Sequence, residues 1–271
     1  MVKSSKSMDS TDLEDLEVAK NMLENTGLAM KLTNAIGRPI EIGINSINSS
    51  LVEKATKLAL NKSLDIALGT IKRDSNTTSS NATHKMLVTA SGFIGGLFGM
   101  SSLLVELPLS TTIMLRSIAD IAQSQGHNLD KMETRLACLE VFSLGSSRTR
   151  DDDASESAYY MVRAGLSYEM KSALKAVEGM STKAIQDAIA RGEMPILIKL
   201  IDSIASKFGI TVSEKVVAEA LPIVGAIGGG GINYIFISHF QQMATGHFII
   251  KRLEKKYGYE VVERNYQNLL I

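Results

Sequence analysis

The sequence predicts an all-α protein, a multi-helix bundle with two glycine-rich apolar helices at its centre. Apolar residues recur three and four positions apart along most of the chain, which is the spacing of one helix face. Only four prolines interrupt the 271 residues. Because 45% of the residues are hydrophobic, the chain can also bury a substantial core.

The first two helices are predicted in the N-terminal quarter of the chain. A capping box at residues 11–14 starts the first helix, which runs to about Ile36, where Gly37 and Pro39 stop it. A second apolar stripe predicts a helix over residues 40–71. We therefore expect two long helices before the first break in the pattern.

A polar tract at residues 74–83, DSNTTSSNAT, interrupts the helical pattern. It predicts three parts of the chain: an N-terminal helical segment (1–73), a polar linker (74–84) and a helical domain (85–271). The main domain boundary is expected at this linker.

Later helices are predicted in the same way. Three of them cover residues 129–144, 158–180 and 181–189, with a charged loop at residues 146–155 between the first two. Pro195 opens an amphipathic helix that Gly209 is expected to end. A second capping box at residues 211–214 then starts the next helix.

Two glycine-rich segments carry no formal charge: residues 86–105 and residues 221–238. Both are close to the length that crosses about 30 Å of hydrocarbon. Each carries glycines four positions apart, which lets another helix approach closely. The helix-packing candidates are Gly92, Gly95, Gly96, Gly99, Gly225 and Gly229.

Two interpretations of these segments stay open. They are buried central helices of a soluble domain, or a hairpin or helix pair that inserts into or lies on a membrane. A phosphate-binding loop fits less well, because GAIGGGGIN lacks a preceding strand, a Gly-Lys-Ser/Thr ending and an acidic ribose partner.

Composition excludes several classes of function. Lys+Arg and Asp+Glu are equal at 29 each, and Trp is absent, so nucleic acid is not an expected partner. Cys138 is the one cysteine, which excludes an internal disulfide and a multi-cysteine metal site. The first residues lack the apolar core of a secretory signal, so we expect a cytoplasmic protein.

Polar residues within apolar surroundings are the candidate site. A buried carboxylate must pair or take up a proton, so Glu106 is expected beside Arg116, Arg163 or Arg252. Arg116 and Asp120 lie four apart on one helix face. The set forms either a structural ion-pair network or a site for a ligand or lipid headgroup. Its members are Glu106, Arg116, Asp120, Tyr160, Arg163, Asn233, Arg252 and Glu254.

Other chemistries find less support. His239 and His247 are weak metal candidates, since they lie eight apart and no HExxH motif is present. No G-x-S-x-G motif points to a serine hydrolase, and Cys138 sits on an apolar helix face as a small hydrophobe. Three adjacent aspartates at residues 151–153 are typical of a solvated loop. No cofactor and no metal is predicted.

The basic stretch at residues 251–256 follows three apolar residues at 248–250. This order is expected of a helix end at a bilayer edge, with Lys and Arg among the headgroups. It is equally typical of an ordinary amphipathic helix end.

The order of these motifs resembles the EcsC family, bacterial helical proteins named after a gene beside an ABC-transporter pair. The similarity covers roughly residues 60–257, and the segment before about residue 36 lies outside it. Its first half consists of the glycines at 92–99, Glu106-Leu107-Pro108, Arg116, Ile121-Ala122, Gly126, Glu133, Arg135, Leu139, Leu144, Tyr160 and Arg163. Its second half consists of residues 221–226, Gly229, Gly230, Asn233, Arg252, Leu253, Glu254, Tyr257 and Gly258. Arg252 and Leu253 are adjacent where the family pattern has a gap.

The resemblance implies a helical cytoplasmic protein linked to membrane processes, with no assigned reaction. The first functional hypothesis is a non-enzymatic, membrane-associated accessory or binding protein, peripheral or integral at the inner face of the cell membrane. The alternatives are a hydrolase that uses Glu106 with a buried Arg/Asp network, and a soluble protein-interaction module. Expected partners are a membrane surface, a membrane protein or a second copy of the chain.

Overall fold

Ten α-helices and one 3₁₀ turn, with no β-strand, make up the described part of the computed structural model, which covers residues 8–24, 27–40, 43, 47–69, 103–145, 157–221 and 228–269. The all-α prediction is therefore confirmed. The helices are α1 (Ser10–Glu24), α2 (Leu28–Ile36), α3 (Ser49–Gly69), α4 (Leu103–Ser124), α5 (Met132–Glu140), α6 (Ala158–Ala176), α7 (Thr182–Ala190), α8 (Pro195–Ala220), α9 (Gly228–Tyr257) and α10 (Tyr259–Asn268). Gly92, Gly95, Gly96, Gly99, Gly225 and the polar linker lie outside the described residues.

The predicted first helix is two helices. The Asp9 carboxylate accepts a hydrogen bond from the Asp12 N–H at 2.9 Å, so the cap of α1 lies before the predicted capping box. Gly27 has an extended backbone and starts α2 as a new helix. Gly37, at φ +73°, ends α2 where the sequence predicts, because this left-handed conformation suits glycine.

Helix α3 joins the N-terminal part of the chain to the rest of the core. The helix begins at Ser49 rather than at residue 40. The Asn48 side chain caps this start, because its Oδ1 accepts a hydrogen bond from the Leu51 N–H at 3.1 Å. It packs against α4 and α8, while α1 packs against α9. One hydrophobic core therefore includes residues from both sides of the predicted linker.

Helix α8 runs unbroken through Gly209, so the predicted helix end there is wrong. The side chains on both sides of this glycine, Phe208 and Val212, are buried in the core. Their burial outweighs the cost of about 1 kcal/mol for glycine inside a helix. The second predicted capping box consequently lies within α8, and its Thr211 and Glu214 are buried. Pro195 opens the helix as predicted.

Two other helix ends differ from the prediction. The helix expected over residues 129–144 is α5 followed by the 3₁₀ turn Val141–Ser143. Helix α6 ends at Ala176 rather than at 180, because Gly179 takes a left-handed φ of +74° in the following turn. Helix α7 agrees with the prediction to within one residue at each end.

Helix α9 spans 30 residues, about 45 Å, and contacts α1, α2, α4, α8 and α10. Phe208 of α8 packs on Phe240 of α9 with ring centroids 5.4 Å apart, and further along α8 Lys215 lies over Phe236. Because the later residue of α8 meets the earlier residue of α9, the two helices run antiparallel. Phe142 completes this aromatic column.

Candidate functional site

A buried lysine joins α4, α8 and α9. Lys215 Nζ donates to Glu106 Oε1 at 2.8 Å and to Glu219 Oε1 at 3.1 Å, and lies 5.6 Å from the centroid of the Phe236 ring. The lysine is 1% exposed. Burial by itself lowers the pKa of its ammonium, but Glu219 and Glu106 raise that pKa above its ordinary value. These four residues, with Asn233, are called the Lys215 junction below.

The partner of Glu106 differs from the prediction. Lys215 neutralises it, whereas Arg163 and Arg252 pair with other carboxylates. Arg116 is exposed on α4, about 15 Å along the helix from Glu106, and Asp120 is half-buried one turn later. The expected Arg/Asp network around Glu106 is therefore wrong. Lys215 was missed because it lies in a mixed polar and apolar run, SEKVVAEA, in which no local pattern marks it as buried.

Asn233 belongs to the same level of the bundle. It lies one turn before Phe236 on α9, is 1% exposed, and within the described part of the chain neither of its amide atoms has a hydrogen-bond partner. Glu219 lies one turn after Lys215 on the antiparallel α8. Burial raises the pKa of the Glu219 carboxyl despite the neighbouring ammonium.

The described residues that adjoin the two glycine-rich segments meet at the Lys215 junction. Glu106 lies in the first turn of α4, directly after residues 86–102, and Glu219 lies in the last turn of α8, directly before residues 222–227. Helix α9 then starts at Gly228. Two apolar side chains on α4 are exposed at this end, Val105 by 76% and Leu109 by 48%.

A second polar cluster surrounds Arg163 of α6, which the structure brings together with the predicted Tyr160 and Glu254. The guanidinium donates two hydrogen bonds to Glu254, at 2.6 and 3.0 Å. Its Cζ atom lies 5.2 Å from the centroid of the Tyr159 ring, 5.7 Å from that of Tyr160 and 5.8 Å from that of Tyr259. Burial raises the pKa of the Tyr160 hydroxyl. The Arg163 guanidinium is thus enclosed by aromatic rings and held by the Glu254 carboxylate, and its Nε lies 4.0 Å from Glu140 Oε1.

His247 and Glu140 lie beside this cluster, and the sequence did not single out Glu140 or Tyr159. Tyr159 Oη is 3.0 Å from His247 Nδ1, and Glu140 Oε2 is 3.5 Å from His247 Nε2. Burial holds the pKa of the His247 imidazole well below its ordinary value and raises the pKa of the Glu140 carboxyl. A neutral ring with its proton on Nε2 accepts from Tyr159 and faces Glu140.

His239 has partners of its own. Its Nε2 lies 3.0 Å from the Gly145 carbonyl oxygen and its Nδ1 lies 3.4 Å from Lys31 Nζ. It is about 12 Å along α9 from His247. Among the described residues, no group of three His, Cys, Asp or Glu side chains is arranged to hold a metal ion. The two histidines are therefore used separately, each in hydrogen bonds within the bundle.

The basic end of α9 is held by α1. Arg252 pairs with Asp15 at 2.6 Å, and Lys256 pairs with Asp9 and Asp12. The apolar residues 248–250 are buried in the core. The structure therefore supports the ordinary amphipathic helix end, and the expected contact of these apolar residues with a bilayer edge is wrong.

Cys138 is fully buried, and burial raises the pKa of its thiol, as expected of a small core hydrophobe. Among the described residues, no helix combines the length and the apolar character that a membrane span needs. Most of the first glycine-rich segment, residues 86–102, lies outside them.

Comparison with known proteins gives one match. No curated protein and no solved structure matches the chain. The model of the EcsC protein family matches residues 12–253, so the matched range includes α1 and α2, which the motifs by themselves leave outside. Glu106, Arg163, Lys215 and Asn233 lie within that range, and Glu254 follows it directly. The chain belongs to the EcsC protein family.

Proposed function

We propose that this chain is a non-enzymatic, membrane-associated helical protein that contacts lipid at the end of the bundle formed by the Lys215 junction. The observation that carries the proposal is that Glu106 and Glu219, which lie next to the two uncharged glycine-rich segments in the sequence, share Lys215 as their partner at this one end. Glu106 and Lys215, 109 positions apart in the sequence, lie in contact there. The sequence of both segments is apolar and without a formal charge, a composition that favours contact with lipid.

The exposed side chains at the same end support the proposal. Val105 and Leu109 lie one turn apart on α4, and Tyr234 lies in the second turn of α9 with half of its surface exposed. Aliphatic side chains together with tyrosine are typical of surfaces that enter the headgroup region of a bilayer. The charged residues of the junction, by contrast, are paired inside the bundle, so they do not oppose such contact.

Vesicle flotation tests the proposal. The full chain is mixed with phospholipid vesicles and floated through a density gradient, and a parallel cell fractionation uses salt and carbonate washes. We expect the protein to float with the vesicles. Protein that stays wholly in the bottom fraction, and in the soluble fraction of the lysate, would contradict membrane association and favour a soluble interaction module.

A pair of matched variants locates the contact. Val105→Asp with Leu109→Asp places charge on the exposed face of α4, and vesicle binding should fall by about tenfold or more because each charge opposes entry into apolar surroundings. Val18→Asp is the control, since Val18 is exposed on α1, which contacts the C-terminal half of α9 at Gly246 and Arg252. It should leave binding unchanged. Equal loss in both variants would place the contact elsewhere.

A further inference from the structure

We propose that a groove between the start of α5 and the turn from α6 to α7 binds a basic amphipathic helix of a protein partner. The groove has a volume of about 580 Å³, and every residue that lines it lies within the described parts of the chain. Its apolar floor consists of Met132, Leu174, Val177 and Met180, and it is called the methionine groove below. The inference goes beyond the proposed lipid contact, because it assigns a second surface and a protein partner.

The floor of the methionine groove is apolar and adaptable. Val177 is buried, and the other three side chains are half-buried and pack against the hydrophobic core. Methionine is flexible and polarizable, so Met132 and Met180 can adjust to an apolar side chain that enters the groove. The volume lies within the range of about 300–1,000 Å³ that binding pockets have. The groove therefore has room for apolar side chains of a partner.

The rim of the groove carries an excess of negative charge. Three carboxylates line it, those of Asp130, Glu133 and Glu178, against the two cations Lys175 and Arg135, which leaves one net negative charge. Helices α5 and α7 begin at the groove and α6 ends there, so the dipoles of these helix ends partly cancel. The side chains therefore set the sign of the local field, which favours a cationic partner.

Two of these carboxylates are available to a partner. In the described part of the chain, neither Glu133 nor Glu178 forms an ion pair, and both side chains are exposed. The Arg135 guanidinium donates to the carbonyl oxygens of Leu129 at 2.6 Å and Leu68 at 3.1 Å. Because backbone atoms hold the guanidinium, the two glutamates can accept hydrogen bonds from donors outside the bundle.

The shape of the groove favours a helix over an extended segment. The described part of the chain has no strand whose edge could pair with an extended peptide. A helix in a groove places apolar side chains, three or four positions apart, on the floor and its flanking side chains beside the two rims. Glu133 on α5 and Glu178 in the turn after α6 provide a carboxylate for each flank. Lysines on both flanks of an apolar stripe match this arrangement.

The methionine groove lies away from the Lys215 junction. His127 Nε2 is 3.0 Å from the Phe248 carbonyl oxygen, so the loop that leads into α5 lies beside the C-terminal half of α9. Phe248 is about 18 Å along α9 from Phe236, which belongs to the junction. The chain can therefore contact lipid and a protein partner at the same time.

A synthetic peptide tests the inference. It has about 14 residues, roughly four turns of helix, with leucines on one face, lysines on the other and a fluorescent label. Binding to the full chain is followed by fluorescence anisotropy, and we expect it to weaken as salt is added, because exposed charges are screened. A peptide of the same composition with its leucines spread around the helix, and one with glutamate for each lysine, should each bind at least about tenfold more weakly. Equal binding of all three peptides, or binding of none, would overturn the inference.

Two pairs of charge reversals locate the binding site. Glu133→Lys with Glu178→Lys reverses the charge of the rim, and the affinity for the peptide should fall by about tenfold or more, because like charges then meet. Glu14→Lys with Glu17→Lys is the matched control, since it changes the net charge equally on the exposed face of α1, which does not line the groove. It should leave the affinity unchanged. All four side chains are exposed, so the unfolding midpoint should hold in both variants. Equal loss of affinity in the two variants would overturn the inference.

Size-exclusion chromatography tests a second copy of the chain as the occupant. We expect the same elution volume for the unaltered chain and for the Glu133→Lys/Glu178→Lys variant. An oligomer of the unaltered chain that dissociates in this variant would identify a second copy as the occupant and overturn the separate partner. Vesicle flotation of the variant should match that of the unaltered chain, so loss of peptide binding with flotation retained separates this inference from the proposed function. Loss of flotation in the variant would contradict a separate surface.

Discussion

Arg163 of α6 and Glu254 of α9 form a two-bond ion pair, with distances of 2.6 and 3.0 Å, beneath three tyrosine rings. The pair lies at the opposite half of α9 from the Lys215 junction, beyond the column of phenylalanine rings. It fixes α6 on α9 at a point where the guanidinium is largely removed from water. Each half of the long helix α9 therefore carries a buried polar cluster.

Breaking this pair should destabilise the fold. Glu254→Ala removes both short hydrogen bonds of the buried Arg163 guanidinium and leaves it with Glu140 at 4.0 Å, which costs up to about 3–5 kcal/mol. Asp15→Ala is the matched control, because the Asp15–Arg252 pair is more than one-third exposed and is expected to contribute less than about 1 kcal/mol. Urea unfolding measures both free energies. Similar losses in the two variants would contradict a large contribution of the buried Arg163–Glu254 pair to stability.

The close crossing of α1 and α9 at Gly246 should not accept a side chain. A Cβ at Gly246 would lie 2.7 Å from Leu23 Cγ and 3.0 Å from the Ala19 carbonyl oxygen. Gly246→Ala is therefore expected to displace α1 and to lower the free energy of unfolding by about 1–3 kcal/mol. Gly165→Ala on the exposed face of α6 meets nothing within 4 Å and should raise it by about 0.5–1 kcal/mol. Thermal unfolding of both variants checks the contrast, and a gain at Gly246 would contradict the crossing.

Gly209→Ala tests the continuity of α8. The added Cβ would lie 3.9 Å from Thr56 Oγ1, an ordinary contact, in a helical backbone. We expect the free energy of unfolding to rise by about 0.5–1 kcal/mol, since alanine favours the helix over glycine. If α8 ended at Gly209 in a left-handed conformation, the same change would be destabilising. Urea unfolding distinguishes the two signs.

The buried His239 should make stability depend on pH. Burial first, and Lys31 next, lower the pKa of its imidazole from 6.5 to about 3. Between pH 6.5 and about pH 3, the unfolded chain binds a proton at this imidazole and the folded chain does not. The free energy of unfolding therefore falls as the pH drops through this range. The contribution is about 1.4 kcal/mol per pH unit at most for one such group.

His239→Gln isolates this contribution. The glutamine amide can still donate to the Gly145 carbonyl oxygen, which His239 Nε2 faces at 3.0 Å, but it does not titrate. The difference in unfolding free energy between the unaltered chain and the variant is measured from pH 7 to pH 5. We expect it to shrink as the pH falls. A difference that stays constant over this range would contradict a neutral, buried His239.

Local signals explain how much of the fold the sequence predicts. The helical spacing of apolar residues identifies most of the helices, Pro195 marks the start of α8, and Gly37 marks the end of α2. Each of these depends on a few neighbouring residues. The break at Gly27 follows the low helix preference of glycine, but the apolar spacing on both sides of it predicts one continuous helix. The continuity through Gly209 was missed because the burial of Phe208 and Val212 outweighs that same preference.

In the candidate site, too, the sequence predicts single residues, and packing decides which residues they contact. Glu106, Arg163, Asn233 and Glu254 were singled out from sequence because each is a polar residue in an apolar or motif position. Their partners were not predictable, since an ion pair such as Glu106 with Lys215 depends on the register between helices far apart in the chain. Glu140 and Tyr159 carried no local signal at all.

The sequence by itself determined the all-α class, the position of most helices and the two uncharged glycine-rich segments, because periodicity, composition and helix-ending residues are local properties. Only the tertiary structure decided that Lys215 neutralises Glu106 and that the residues next to the two segments, Glu106 and Glu219, meet at this lysine. It also decided that the basic end of α9 is held by α1. Burial forces each charge to find a partner, and which partner it finds depends on how the helices pack.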